Sequence, residues 1–92
     1  MGKLRAHVTV HGMVQGVGFR FSTCRRAESL GLTGWVRTLK DGRVEAVIEG
    51  PPKGVDALLA KLKTGPGGAR VDTTEVKDET AEGKFDDFQV LR

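Results

Sequence analysis

Three glycines in seven positions, Gly12-Met13-Val14-Gln15-Gly16-Val17-Gly18, separate two apolar patterns of different period. Before them, Leu4, Ala6, Val8 and Val10 alternate with Lys3, Arg5, His7, Thr9 and His11. That is a half-buried strand over residues 3–11, ending at Gly12. After them, Phe21, Cys24, Ala27 and Leu30 recur every three residues. That is a short amphipathic helix, with Ser22 or the loop end as its N-cap and Gly31 as its stop. So glycine-rich a segment does not continue a helix. It joins strand to helix as a loop with special backbone angles.

The rest of the chain continues the alternation of periods. Residues 32–39 read as a second strand. Lys40-Asp41-Gly42 reads as a hairpin turn, because Asp-Gly supplies the positive φ such turns need. Val44, Ala46 and Ile48, alternating with Arg43, Glu45 and Glu49, give a third strand. Gly50-Pro51-Pro52 breaks the chain. Val55, Leu58, Leu59 and Leu62 then form one helical face, a core stripe that ends near Lys63 before Gly65-Pro66-Gly67-Gly68. Residues 69–76 read as a fourth strand, with a bulge or bend because Val71 and Val76 have opposite parity. Ala81-Glu82-Gly83-Lys84 is a turn, and Phe88 and Val90 mark a short fifth strand.

The order β-α-β-β-α-β implies an α+β, ferredoxin-like sandwich: an antiparallel sheet with two helices on one face. With 92 residues, the chain is expected to be one domain over 1–92. No apolar run approaches the ~20 residues of a membrane span, and the N-terminus lacks an apolar signal core, so a cytoplasmic location is expected. A single cysteine, Cys24, excludes an intrachain disulfide. The net charge of +3 favours anions mildly. Basic residues are interleaved with acidic ones, and the five aromatics do not interleave with basic residues, so nucleic acid is not an expected partner.

The glycine loop is the first candidate for chemistry. Successive backbone N–H groups in such a loop converge on an anion, the following helix N-terminus adds unpaired donors, and Arg20 adds a guanidinium. The segment is not a Walker loop, since no Gly-Lys-Ser/Thr follows, nor a dinucleotide fingerprint. Its plain alternative is a glycine-rich turn with Arg20 on the surface.

The stretch Gly12 to Arg20 resembles the signature of the acylphosphatase family, Gly-x-Val-Gln-Gly-Val-x-Phe/Tyr-Arg. Gly12, Val14, Gln15, Gly16, Val17, Phe19 and Arg20 all match. Gly34-Trp35-Val36-Arg37, then Asp41-Gly42-Arg43-Val44 and Gly50, resemble a second family motif at the family's spacing. The resemblance covers essentially the whole chain. It implies hydrolysis of a carboxylic-phosphoric mixed anhydride to a carboxylate and inorganic phosphate, without cofactor or metal. It also implies that the amides of Gln15, Gly16, Val17, Gly18 and Phe19, with Arg20, bind the phosphoryl group. Inorganic phosphate or sulfate would then be a ligand of the same loop. The leaving carboxylate has a pKa of about 4, so no general acid has to protonate it.

One position departs from the family. Its water-positioning asparagine corresponds to Thr38 here. Threonine offers one hydroxyl on a shorter, β-branched side chain. Losing one well-placed contact to the transition state costs about 3–4 kcal/mol, or about 100–1000-fold in rate. Arg20 and Thr38 are therefore the catalytic candidates, with an intact phosphate cradle and an impaired hydrolytic step expected. A bridging water or shifted strand would restore part of the rate, and Thr38 is also simply a good strand former. The alternative function is a non-catalytic phosphate- or acyl-phosphate-binding module on the same scaffold. A regulatory or RNA-associated domain ranks below both, because the sheet has no aromatic pair for base stacking. A monomer without a membrane partner is expected.

Other residues read as structural. His7 and His11 lie about 13 Å apart along a strand, too far to share a metal, and read as a solvated face. Cys24 reads as a buried structural thiol. Asp78-Glu79 and Asp86-Asp87 read as solvated carboxylates.

Overall fold

A computed structural model describes residues 3–14, 18–65 and 70–91. Its elements are β1 (Leu4–Met13), α1 (Phe19–Ser29), β2 (Thr33–Thr38), β3 (Val44–Gly50), α2 (Pro52–Thr64), β4 (Arg70–Glu79) and β5 (Phe88–Val90). The strands form one sheet in the order β4-β1-β3-β2-β5. Among the first four each neighbouring pair is antiparallel, as the hairpin and the two crossovers require, and β5 adds a parallel edge beside β2. Against an expected all-antiparallel sheet, the addition of β5 makes the sheet mixed.

Alternation decides the core. Ala6, Val8 and Val10 of β1, Val36 of β2, Val44, Ala46 and Ile48 of β3 and Phe88 of β5 are buried on one face. There α1 lies over β2 and β5, and α2 lies over β1, β3 and β4. From α2, Val55, Leu58 and Leu62 enter this core and Leu59 packs at its edge, as the stripe implies.

The strand β1 does not stop at Gly12. It runs on to Met13 because β4 bulges opposite it: His11 pairs with Thr73 and Gly12 with Val71, leaving Asp72 extra. The bulge reverses the parity of β4, so Val71 and Val76 come to the same face.

The helix α1 begins two residues earlier than its three-residue pattern suggests. Phe19, Thr23 and Ala27 form its buried side, while Phe21 is 64% exposed. Four-residue steps hold one face of a helix, whereas Phe21 lies about 200° around from Phe19. The cap is Gly18 rather than Ser22, and Gly31 takes a φ of 71° just past the end.

Candidate active site

The strands β1 and β2 run in the same direction on either side of β3, so their C-terminal ends lie at one end of the sheet. The register places Val10 opposite Val44 and Val44 opposite Thr38. Residues paired in this way share a face. Val10 and Val44 are core residues, so Thr38 is on the helix-covered face, half-buried at its rim. Two strand spacings, about 10 Å, separate it from β1.

The same end receives α1. Gly18 adopts φ 71° and ψ 20°, the left-handed region, and its carbonyl accepts the Ser22 N–H at 2.9 Å. No side chain caps this helix start, and no acidic residue lies in its first turn. Among the described residues, the first N–H groups thus keep the partial positive charge of a helix start. Arg20 sits in that first turn, half-buried, and forms no ion pair among the described residues. Phe19 points the other way, into the core. Its backbone N–H has no backbone partner among the described residues. Of the cradle read from the sequence, Gly18, Phe19 and Arg20 thus stand at the end of the sheet that also carries Thr38. Gln15, Gly16 and Val17 lie outside the described residues.

The structure supplies reasons for two motif glycines that periodicity could not. A Cβ on Gly12 would stand 2.1 Å from the Arg70 carbonyl oxygen, and one on Gly34 1.9 Å from that of Val47. Both take positive φ, 144° and 134°. Gly12 lets β4 pass close by at the end of β1 that leads to the site, and Gly34 lets β3 pass close by at the opposite end of β2. Beside Thr38, the turn closes with Leu39 N–H donating to Arg43 O at 2.7 Å and Gly42 N–H to Leu39 O at 3.0 Å. In that turn the Arg43 backbone N–H, aided by its guanidinium, holds the Asp41 carboxyl below the usual carboxylate range.

The residues read as a solvated face are about one-third exposed and also stand in cross-strand pairs. His7 Nε2–H donates to Glu45 Oε2 at 2.6 Å, and Arg37 donates to Glu45 Oε1 at 2.7 Å. Burial pulls the Glu45 carboxyl upward, but these two donors outweigh it and hold it below its ordinary value. Glu79 is not a free carboxylate either. Arg5 Nε donates to it at 3.0 Å, and His7 Nδ1 stands 4.0 Å from it. His11 Nε2 is 3.5 Å from Glu75. These pairs bridge β1 to β3 and β4, information that a one-strand reading lacks. Cys24 is half-buried and its Sγ contacts Phe88 O at 3.4 Å. Burial pushes its thiol up, which suits a structural role. Among the described residues, no group of three or more His, Cys, Asp or Glu could hold a metal ion. No helix there is long and apolar enough to cross a membrane.

Comparison with known proteins shows the family and the fold. The acylphosphatase family model matches residues 6–90. An acylphosphatase from Methylococcus capsulatus is 54% identical over 88 residues, covering 96% of each chain. One from Thermococcus kodakarensis is 53% identical over 91 residues, covering 99% of each. The solved structure of an acylphosphatase from Coxiella burnetii superposes with a TM-score of 0.93 at 40% identity, covering 98% of this chain and 94% of that one. A family match over nearly the whole length, a shared fold and relatives at half identity place this chain in the acylphosphatase family.

Proposed function

We propose that this chain hydrolyses acyl phosphates with Arg20 and the amides of Gln15 to Phe19 holding the phosphoryl group, and with Thr38 placing the attacking water. That the chain is a hydrolase of acyl phosphates follows from its family and from relatives named for that activity over nearly its full length. They favour turnover over the non-catalytic binding module. The assignment of roles rests chiefly on one observation. The uncapped start of α1, with Arg20 in its first turn, stands at the same end and on the same face of the sheet as Thr38.

The chemistry follows from that arrangement. Water attacks phosphorus, the bond from phosphorus to the acyl oxygen breaks, and the carboxylate leaves with the electron pair. The water's proton passes to a phosphate oxygen or to solvent. Charge on the phosphoryl oxygens is met by the Arg20 guanidinium and by backbone N–H donors already oriented for it. Thr38 can accept from the water and donate to a phosphoryl oxygen through one hydroxyl. The chain acts as a cytoplasmic monomer without cofactor, and inorganic phosphate or sulfate competes for the cradle.

The test is hydrolysis of an aryl acyl phosphate by wild type, Arg20→Ala and Thr38→Asn. Arg20→Ala should lose turnover and saturable phosphate binding together while keeping its fold. Thr38→Asn should gain about 100-fold if the hydroxyl places water poorly. A wild-type rate that Thr38→Asn does not improve would assign the full water-placing role to Thr38. A wild-type rate at background that Thr38→Asn does not raise would overturn the hydrolase reading.

A further inference from the structure

Between α1 and α2, on the helical side of the molecule, lies a cavity of about 140 Å³. Its floor is apolar: Phe19, Leu58 and Leu62, all nearly fully buried. Its mouth is polar and basic, formed by Ser22 and Arg26 of α1 and Lys61 of α2. Ser22 and Arg26 are one helical turn apart and so share a face, while Lys61 lies beside the Leu58–Leu62 row. The Thr23 hydroxyl does not compete for an occupant, because it donates to Phe19 O at 2.8 Å. Neither Arg26 nor Lys61 is held in an ion pair among the described residues. Each also sits in the last turn of its helix, where a cation complements the dipole. The dipole accounts for a basic residue near each helix end. It does not account for both cations rimming one apolar hole.

We propose that this interhelical cavity is a second ligand site, selective for a small carboxylate with an aromatic or branched apolar body. The volume is similar to that of an enclosed apolar cavity that accepts benzene, about 150 Å³, but this one is open at its polar mouth. A ring or branched chain would enter between the aliphatic stems of Arg26 and Lys61 and rest on the exposed edges of Phe19, Leu58 and Leu62, with its carboxylate between the two cations. A neutral body of this size gains from leaving water, and the two cations exclude amines of the same shape. Carboxylates released from acyl phosphates belong to this chemical class. That link to the reaction rests on the function proposed above, whereas the binding itself does not.

The experiment is an amide NMR titration of the full chain with benzoate, benzylamine and inorganic phosphate. Benzoate should shift Ser22, Arg26, Lys61 and Gly65 saturably, with an affinity of about millimolar for so small a ligand. Benzylamine should not. Saturating phosphate should leave the benzoate affinity unchanged within about twofold, since the cradle is a separate site. The double variant Arg26→Gln, Lys61→Gln alters exposed side chains only, and should weaken benzoate about tenfold or more while its phosphate affinity stays. Three results would each overturn the proposal. Benzoate shifts confined to Gly18–Arg20 and abolished by phosphate would mean that the carboxylate occupies the cradle. Equal binding of benzylamine would mean a hole without charge selection. Absence of saturable shifts at the helices would mean that the site does not bind.

Discussion

The Glu49 carboxylate accepts the Gly83 backbone N–H at 2.7 Å, joining the end of β3 to a loop 34 residues further along the chain. Its second oxygen accepts the Glu82 N–H at 3.0 Å, and Arg5 Nη1 stands 3.8 Å away. Glu49 is only 1% exposed. A buried carboxylate costs several kcal/mol unless donors meet both oxygens, and these donors do so. The bonds hold the loop across the open face of the sheet, where Phe85 lies 5.3 Å beneath the Arg5 guanidinium. From there the chain delivers Phe88 beside Gly34, and Gly34 N–H donates to Asp87 O at 2.9 Å. The parallel edge strand is thus secured from the far side of the sheet.

Replacing Glu49 by Ala should therefore destabilise the fold by about 1–3 kcal/mol, read by urea unfolding, because two part-buried hydrogen bonds that tie the loop to β3 are lost. Amide exchange at Glu82 and Gly83 should accelerate first. A loss below about 1 kcal/mol would show that the loop holds without this bond.

Two glycines with positive φ, Gly34 at the start of β2 and Gly18 before α1, should behave differently. Gly34→Ala forces a Cβ to within 1.9 Å of the Val47 carbonyl oxygen, so a loss of more than about 3 kcal/mol or failure to fold is expected. At Gly18, no atom of the described residues lies within 4 Å of an added Cβ. There Gly18→Ala should cost only the left-handed conformation, about 1–2 kcal/mol. It should lower turnover more than that stability loss explains, since it disturbs the start of α1. Thermal melts of both variants and the rate of the second check this pair.

The two early phenylalanines offer a further contrast. Phe19→Ala empties the buried floor between sheet and helices and should cost about 3–5 kcal/mol. Phe21→Ala, at a residue 64% exposed, should change stability by less than about 0.5 kcal/mol. The order reverses if the three-residue pattern in the sequence, rather than the four-residue stripe, marks the core side.

Acid should weaken the fold partly through Glu45. Its folded-state carboxyl is held below the ordinary value, so its stabilising contribution is complete above that value, about 4.5, and is lost as pH falls through the lower one. Glu45→Gln should remove about 1 kcal/mol near neutrality and approach wild type in stability below about pH 4. Unfolding midpoints of the two proteins across this range test the sign. A gap that widens in acid would contradict it.

Much of the architecture could be read from period alone. Alternation located β1 and β3, the Leu58–Leu62 stripe located α2, and the opposite parity of Val71 and Val76 announced the bulge at Asp72. These are local patterns, fixed by which face meets the core. The direction of β5 was not legible, because three residues carry no orientation without the Glu49 clasp that positions them. Phe21 misled for a related reason: an exposed aromatic in a three-residue step mimics a core position until the helix start is known. At the site, Arg20 and Thr38 stood out as residue types at motif positions. Their placement at one end and on one face depends on β3, which lies between them and contributes no candidate catalytic group.

That intervening strand has a consequence for how the protein can change. The span from β1 to β2 is measured out by two ladders of backbone hydrogen bonds, which are indifferent to the identity of the side chains in β3. Val44, Ala46 and Ile48 can be exchanged for residues of other volume, and Tm will move, while the spacing of β1 from β2 stays at two strand widths. What such exchanges can shift is the seat of α1, and with it Arg20, because that helix rests on the core they fill.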